Sequence, residues 1–338
     1  MVESTILFPN FNNEFVLPYT FEYLQRNLDT TKYNIVIVDD GSTDKSVEVC
    51  KKQLSRIKFN HSQIIELSHT GIIKALNTGL EAVKTEFVFR IDGDATVETP
   101  NWIEKIKKIL IQNNRIGLVG GQVIFDHGHV HSFGRNLFNE VGLFDLGTIP
   151  LELVGQRTFD SIVYRPKSNF IEQMPYEVDT LLGVCTGFRY EDAKALNGFD
   201  ELFNPVWIED DDFGVQIRKL GKKVIVYPEI KIVHRIGLRG SRDPNEKRKN
   251  LFNKFSIGSI KGTYIRRIKE SNNLLEIPIE NNHWRTNILT NHYHNWEKKW
   301  GFHPLNPKIE DFLNMYYETE LCWKLNPSIS SNFKLILD

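Results

Sequence analysis

Over the first 125 residues, short β-branched apolar runs alternate with stretches in which apolar positions return every three to four residues. The runs Thr5–Phe8, Ile35–Val38, Ile64–Leu67, Phe87–Ile91 and Leu118–Phe125 predict strands. The stretches Glu14–Leu28, Asp44–Arg56, Ile72–Val83 and Asn101–Gln112 predict helices, the first starting late or kinking at Pro18. This alternation predicts an α/β layer architecture, a mainly parallel sheet with helices on its faces. Ligands of such sheets bind beyond the carboxyl ends of the strands. The segments that follow the strands therefore carry the interest: Pro9–Glu14, Asp39–Asp44, Ser68–Gly71 and Asp92–Asp94, polar throughout and gathered on one rim.

From Asp126 to Glu177 the alternation fails, and Gly, His, Pro and aromatic residues mix without a period, as in a long connection carrying short elements. A second ordered block runs from Val178 to about His234. Arg235–Lys249 is basic and polar, and Phe252–Asp338 reads as mostly helical with Trp284, Trp296, Trp300 and Trp323 as packing anchors.

Composition narrows the field. The 338 residues are 41% hydrophobic and 25% charged, enough for a substantial core and unlike a disordered chain. Lys plus Arg number 42 and Asp plus Glu 43, so no whole-chain field draws the protein to nucleic acid or an acidic membrane, and any anion site must be local. The apolar runs fall far short of the roughly 18 residues that span a bilayer. Glu3 stands where an export signal needs basic charge, which with the short apolar runs predicts a cytoplasmic protein. Attachment to the inner face of a membrane is compatible with that reading. Cys50, Cys185 and Cys322 lie too far apart for a zinc site and fit no disulfide framework.

Three acidic constellations carry chemistry. Asp92-Gly93-Asp94 puts two carboxylates at a chain reversal, where a hard divalent cation could bridge them to substrate phosphates. Gly93 is a tolerated middle position and says little about the ligand. Asp39-Asp40-Gly41-Ser42-Thr43-Asp44 closes one strand and opens a helix; position 12 from Asp39 is Cys50, which rules against a calcium-binding EF-hand loop. Glu209-Asp210-Asp211-Asp212 lies between Trp207-Ile208 and Phe213, and crowding or burial of such acids can raise a carboxylate toward the range of a general base. The histidines His127, His129 and His131 alternate, and the segment reads as cleft lining or surface rather than a second metal site.

Taken in order, Val38–Asp44, Gly71-Ile72-Ile73-Lys74-Ala75-Leu76-Asn77-Thr78-Gly79, Asp92–Asp94, Gly198–Glu201, Glu209–Phe213 and Tyr227-Pro228 with His234 resemble the family 2 glycosyltransferases of the GT-A fold. The resemblance covers roughly residues 4 to 238. It implies a Rossmann-like nucleotide-binding half, 1–125, and an acceptor-binding half, 126–250, followed by a helical extension over 251–338. It further implies transfer of a sugar, most simply UDP-linked, to a saccharide or lipid-linked saccharide, with Mn²⁺ or Mg²⁺ as cofactor and inversion at the anomeric carbon. Residues matching the donor site are Pro9, Asn10, Asn12, Glu14, Asp39, Asp40, Ser42, Gly71, Lys74, Asp92, Gly93 and Asp94. Arg239 joins them from the basic segment, read as a lid over the diphosphate. Asp94 and His234 match the metal ligands, Asp210 the catalytic base with Glu209 and Asp211 as alternatives because four acids in a row blur the register, and Thr186, Gly187 and Trp207 the acceptor side.

Two other classes compete: a sugar-nucleotide nucleotidyltransferase, and a GT-A module that binds without turnover. The first needs a glycine-rich basic loop after strand one, where this chain has Pro9–Glu14, and the joint presence of Asp94, Asp210 and His234 argues against the second. Neither G-x-G-x-x-G after the first strand nor G-x-x-x-x-G-K-[ST] occurs, which removes dinucleotide oxidoreductases and P-loop phosphotransferases. Oligomeric state is not legible in the sequence.

Overall fold

The computed structural model describes residues 4–126, 128, 130–138, 142–145, 149–150, 163–164, 175–236 and 283–300. Its centre is a ten-stranded mixed sheet. The strands are β1 (Ser4–Asn10), β2 (Asn34–Asp39), β3 (His61–Glu66), β4 (Phe87–Ile91), β5 (Ala95–Val97), β6 (Ile116–Phe125), β7 (Val130–Ser132), β8 (Tyr176–Val178), β9 (Cys185–Arg189) and β10 (Lys223–His234). The path across the sheet is β8-β10-β6-β9-β4-β1-β2-β3, with β5 paired to β10 and β7 to β6. Helices α1 (Leu17–Asn27), α2 (Ser46–Leu54), α3 (Ile72–Ala82), α4 (Trp102–Gln112), α5 (Tyr190–Ala195), α6 (Glu209–Lys219) and α7 (His283–Trp300) complete the described elements of interest.

Every residue of β1 and β4 is buried, as expected of strands covered on both faces. The period of two divides β1 cleanly: Ile6 and Phe8 meet Leu17, Phe21, Trp102 and Ile106 of α1 and α4, whereas Leu7 joins Ile73, Leu76 and Leu80 of α3. The four helices expected within the first 125 residues all form, and α1 begins at Leu17 with Pro18 in its first turn, where a missing N–H costs nothing.

Strand pairing departs from the expected mainly parallel order beyond β4, where β8 and β5 also pair antiparallel to β10 and β7 antiparallel to β6. β1, β2, β3 and β4 pair in parallel, but β9 runs antiparallel between β4 and β6. β10 then lies parallel to β6, shifts register between Val226 and Lys231 around Tyr227-Pro228, and ends with His234 opposite Ala95 of β5. Those pairings carry His234 to the residue that follows Asp94.

In α7, Trp296 is fully buried against Phe203 and Trp300. Trp300 Nε1 donates to Asp212 at 2.9 Å and Lys299 Nζ bridges Asp212 and Asp200 at 2.8 and 2.6 Å. Two of the expected tryptophan anchors are thus in place. The side chain of Trp284, Trp323, Cys322, His127, His129, Arg239, the basic segment beyond Ile236 and the expected division at residue 250 lie outside the described residues. Among the described residues no helix is long and apolar enough to cross a membrane.

Candidate active site

The ends of β1, β2 and β3 are fastened to one another by the polar residues that follow them. Asp39, buried, accepts from Asn10 Nδ2 at 2.6 Å and from the Ser42 amide and hydroxyl at 2.7 Å. Asp40, also buried, accepts from the Thr70 and Gly71 amides at 2.6 and 2.9 Å and lies 3.1 Å from His69 Nδ1. Ser42 Oγ in turn receives the Asn12 amide at 2.9 Å, and the Glu14 carboxylate accepts from the Lys45 amide. These carboxylates hold the rim loops in one conformation. Gly71 sits at φ 100°, where a Cβ would strike Asn204 and Pro205, so glycine is required there. Lys74 is exposed on the first turn of α3. Phe11, exposed, stacks on His69 with ring centroids 4.3 Å apart, an aromatic face on this rim that the sequence reading passed over.

A second group joins the two halves of the site. Arg90, on β4 and buried, donates to Asp92 at 2.9 Å through Nε and lies 3.5 Å from Glu209 through Nη2. Burial pushes the Asp92 carboxyl up against the opposing pull of Arg90. Burial, then the neighbouring Asp210 charge, pushes Glu209 up to about 8 although Arg90 pulls the other way. A glutamate protonated more readily in the folded than in the unfolded chain costs stability as pH rises between its two pKa values. The wild type should therefore lose melting temperature relative to Glu209→Gln between about pH 5 and pH 8; parallel melting curves across that window would refute it.

Asp210 is half-buried at the start of α6, and its Oδ2 accepts from the Gly183 amide at 2.8 Å. The adjacent Val184 carbonyl accepts the Asp92 amide, so the acids of both halves share one turn. The other members of the acidic run are committed elsewhere. Asp211 accepts from Thr180 Oγ1 at 2.7 Å and pairs with Arg135, while Asp212 is held by Lys299, Trp300 and Gln216. Trp207 and Ile208, just before the run, both have positive φ, 72° and 68°. For a β-branched residue this is a strained conformation of the kind that persists where surrounding structure over-determines it, often at functional sites.

Two glycines before the acidic run pack closely against their neighbours. A Cβ on Gly183 would lie 2.3 Å from Arg90 Nη1, and one on Gly187 would strike Ile106 and Phe89 of the core. Thr186 is buried in β9 beside them. Gly183→Ala should destabilise the fold by about 1–3 kcal/mol by displacing the Arg90 guanidinium, measured by denaturant melts; a neutral effect would mean that Arg90 is not held as described. Gly93 is likewise more constrained than a tolerant spacer, since a Cβ would come within 2.6 Å of Asn10 Oδ1 and 2.8 Å of Asn13 Nδ2.

Asp94 is fully buried, and its Oδ2 lies 3.2 Å from His234 Nε2. A carboxylate oxygen and an imidazole nitrogen at one point suit a divalent cation of the Mn²⁺ or Mg²⁺ type, with diphosphate oxygens completing its shell. Among the described residues no three His, Cys, Asp or Glu side chains converge on such a point, so the protein alone offers an incomplete set. His131 reaches the other ring nitrogen of His234, Nδ1 to Nδ1, at 3.1 Å. Cys185 is buried with its thiol pushed well up by burial, which suits a core residue and not a nucleophile.

The structure also explains why two distant segments belong together. Asn77 donates to the Phe199 carbonyl and accepts from the Phe199 amide, both at 2.8 Å, and Gly198 leaves space for its side chain. The long helix α3 and the turn before α6 are pinned by that one amide.

The family model for glycosyl transferase family 2 matches residues 5–193, more than half of the chain. The glycosyltransferase GlyA of Streptococcus pneumoniae is 29% identical over 148 residues, 40% of this chain and 20% of GlyA. The chain thus spans about a fifth of the length of that curated relative. Among solved structures, GalNAc-T7 with UDP, GalNAc and Mn²⁺ superposes with a TM-score of 0.54 at 13% identity, covering 94% of this chain and 58% of its own. The mannosyltransferase PcManGT of Pyrobaculum calidifontis, in complex with GDP-Man and Mn²⁺, gives 0.50 at 16% identity over 96% and 84% of the two chains. These likenesses bear out the GT-A fold, and the extent of the family match settles the affiliation: the chain belongs to glycosyl transferase family 2.

Proposed function

We propose that the protein transfers a sugar from a nucleoside-diphosphate donor to a hydroxyl of a saccharide or lipid-linked saccharide, with inversion, in a reaction that needs Mn²⁺ or Mg²⁺. The observation that carries the reading is Arg90, which ties Asp92 on the β4 rim to Glu209 at the start of α6 and so locks the donor side to the base side. Family membership supports the reaction class, and the UDP and GDP-mannose in the two solved neighbours support a nucleoside-diphosphate donor.

In this reading Asn10, Asn12, Ser42, Asp39 and Asp40 preform the loops that receive the nucleoside, and the exposed Phe11 ring offers a face to its base. Pro9, Glu14, Gly71, Lys74, Asp92 and Gly93 line or shape the same rim. Asp94 and His234 would hold the cation, which supplies charge neutralisation at the diphosphate leaving group. Asp210 takes the proton of the acceptor hydroxyl as that oxygen attacks the anomeric carbon from the face opposite the diphosphate, and Trp207 flanks the acceptor. Asp210 alone of the four is not buried, which supports it over its neighbours as the base. Arg239 is assigned to the diphosphate from its place in the basic segment.

The test is a panel of UDP-, GDP- and other nucleotide-linked sugars, read first by thermal stabilisation with Mn²⁺, with Mg²⁺ and with chelator, then by release of nucleoside diphosphate. One donor should stabilise and turn over only with metal. NMR of the product anomer should show inversion; retention would remove Asp210 from its role.

A further inference from the structure

We propose that His131 is a positioning residue for His234, setting through the contact between their Nδ1 atoms which nitrogen of His234 is free to meet a divalent cation. The inference rests on the reading of Asp94 and His234 as metal ligands.

Both imidazoles are delivered by the end of β6. His234 lies opposite Phe125 in the parallel β10 ladder, and β7 brings His131 back along the same strand through the antiparallel pairs Val123–Ser132 and Ile124–Val130. His131 stacks on Phe125 at 4.2 Å between ring centroids and on His234 at 5.0 Å, the latter with planes 23° apart. The stack fixes both rings, so that the 3.1 Å Nδ1–Nδ1 contact joins two groups with little freedom to turn away.

Two facing imidazole nitrogens can share one proton, so the tautomer of one ring fixes that of the other. Without a cation, His234 Nε2 lies 3.2 Å from Asp94 Oδ2, and its Nδ1 can accept from His131 Nδ1–H. A cation at Asp94 takes the Nε2 lone pair, and His234 must then carry its proton on Nδ1. The Nδ1 proton would pass from His131 to His234, the Nε2 proton of His234 would be released as the cation enters, and His131 would take up one proton on Nε2. For two neutral rings the exchange balances, with one proton released and one taken up. A carbonyl could serve only the loaded state and an ammonium only the empty one, whereas an imidazole serves both. Groups that orient a metal-bound histidine in this way are worth about 10- to 100-fold in metal affinity.

The test is a Mn²⁺ titration in the presence of UDP, with free Mn²⁺ read by EPR, on the wild type and on Asp94→Asn, His131→Phe and His131→Asn. Phenylalanine keeps the stack and removes the nitrogen; asparagine restores a group that can donate or accept near the Nδ1 position. His131→Phe should bind Mn²⁺ about 10- to 100-fold more weakly, and His131→Asn should recover most of the loss. Independently of any variant, ¹⁵N spectra of the wild type should show His234 moving from the Nε2–H to the Nδ1–H form when Mg²⁺ and UDP are added. Wild-type affinity in His131→Phe, or no change of tautomer in a wild type that binds metal, would overturn the role of His131 alone. Absence of Mn²⁺ binding by the wild type, or undiminished binding by Asp94→Asn, would overturn the metal reading and this inference with it.

Discussion

Asp94→Asn should lower metal-stimulated release of nucleoside diphosphate by on the order of 10²- to 10³-fold, the scale of losing one preorganised electrostatic contact to a charge that develops in the transition state. The substitution keeps shape and volume, and the amide can still meet His234 Nε2 at the position 3.2 Å away. The fold should therefore survive, as judged by circular dichroism and an unchanged melting temperature in chelator. What disappears is the charge. An amide oxygen is a poorer partner for a hard cation than a carboxylate, so stabilisation by Mn²⁺ plus donor should shrink in parallel with turnover. Turnover close to wild type would remove Asp94 from the metal.

Asp210→Asn should cost about 10²- to 10⁴-fold in turnover, the range of positioned proton transfer, with donor affinity unchanged. Its Oδ2 accepts from the Gly183 amide and its Oδ1 from the Asp211 amide, and an asparagine oxygen can keep the first, which holds the start of α6 to the Gly183 turn. The neighbouring acids provide the comparison. Asp211 is engaged by Arg135 and Thr180, and Asp212 by Lys299 and Trp300, so their amides should lower stability and leave less mark on chemistry at saturating substrate. Separate measurement of melting temperature and kcat for the three variants distinguishes a base from a structural acid. Equal kcat losses across all three would argue that the whole run acts as one charged surface.

The same run illustrates where local pattern stops being informative. Four consecutive acids look alike in a chain, yet each faces a different neighbour: Arg90 on β4, the Gly183 amide, Arg135 with Thr180, and α7 some 88 residues on. Arg90 shows the opposite case. Within Phe87–Ile91 it reads as one polar residue in an apolar strand, and only the return of α6 beneath it reveals a bridge between Asp92 and Glu209. Gly183 and Gly187 carry no signal of what lies beside them in the chain, and only the structure shows that the neighbours are Arg90 and the core. His131 was one of three alternating histidines with no visible partner, because its partner is 103 residues away on a strand paired to the same β6.

The sequence by itself determined the layered α/β arrangement, the positions of the early strands and helices, and the acidic rim, because these follow from periodicity and from which residues end a strand, both local properties. Motif order was enough to suggest the family. The tertiary structure alone decided the antiparallel insertion of β9, the contact of His131 with His234, and the separate fates of the acidic run. Those depend on pairing between segments far apart in the chain, and no local pattern of apolar and polar residues encodes which strand another will lie beside.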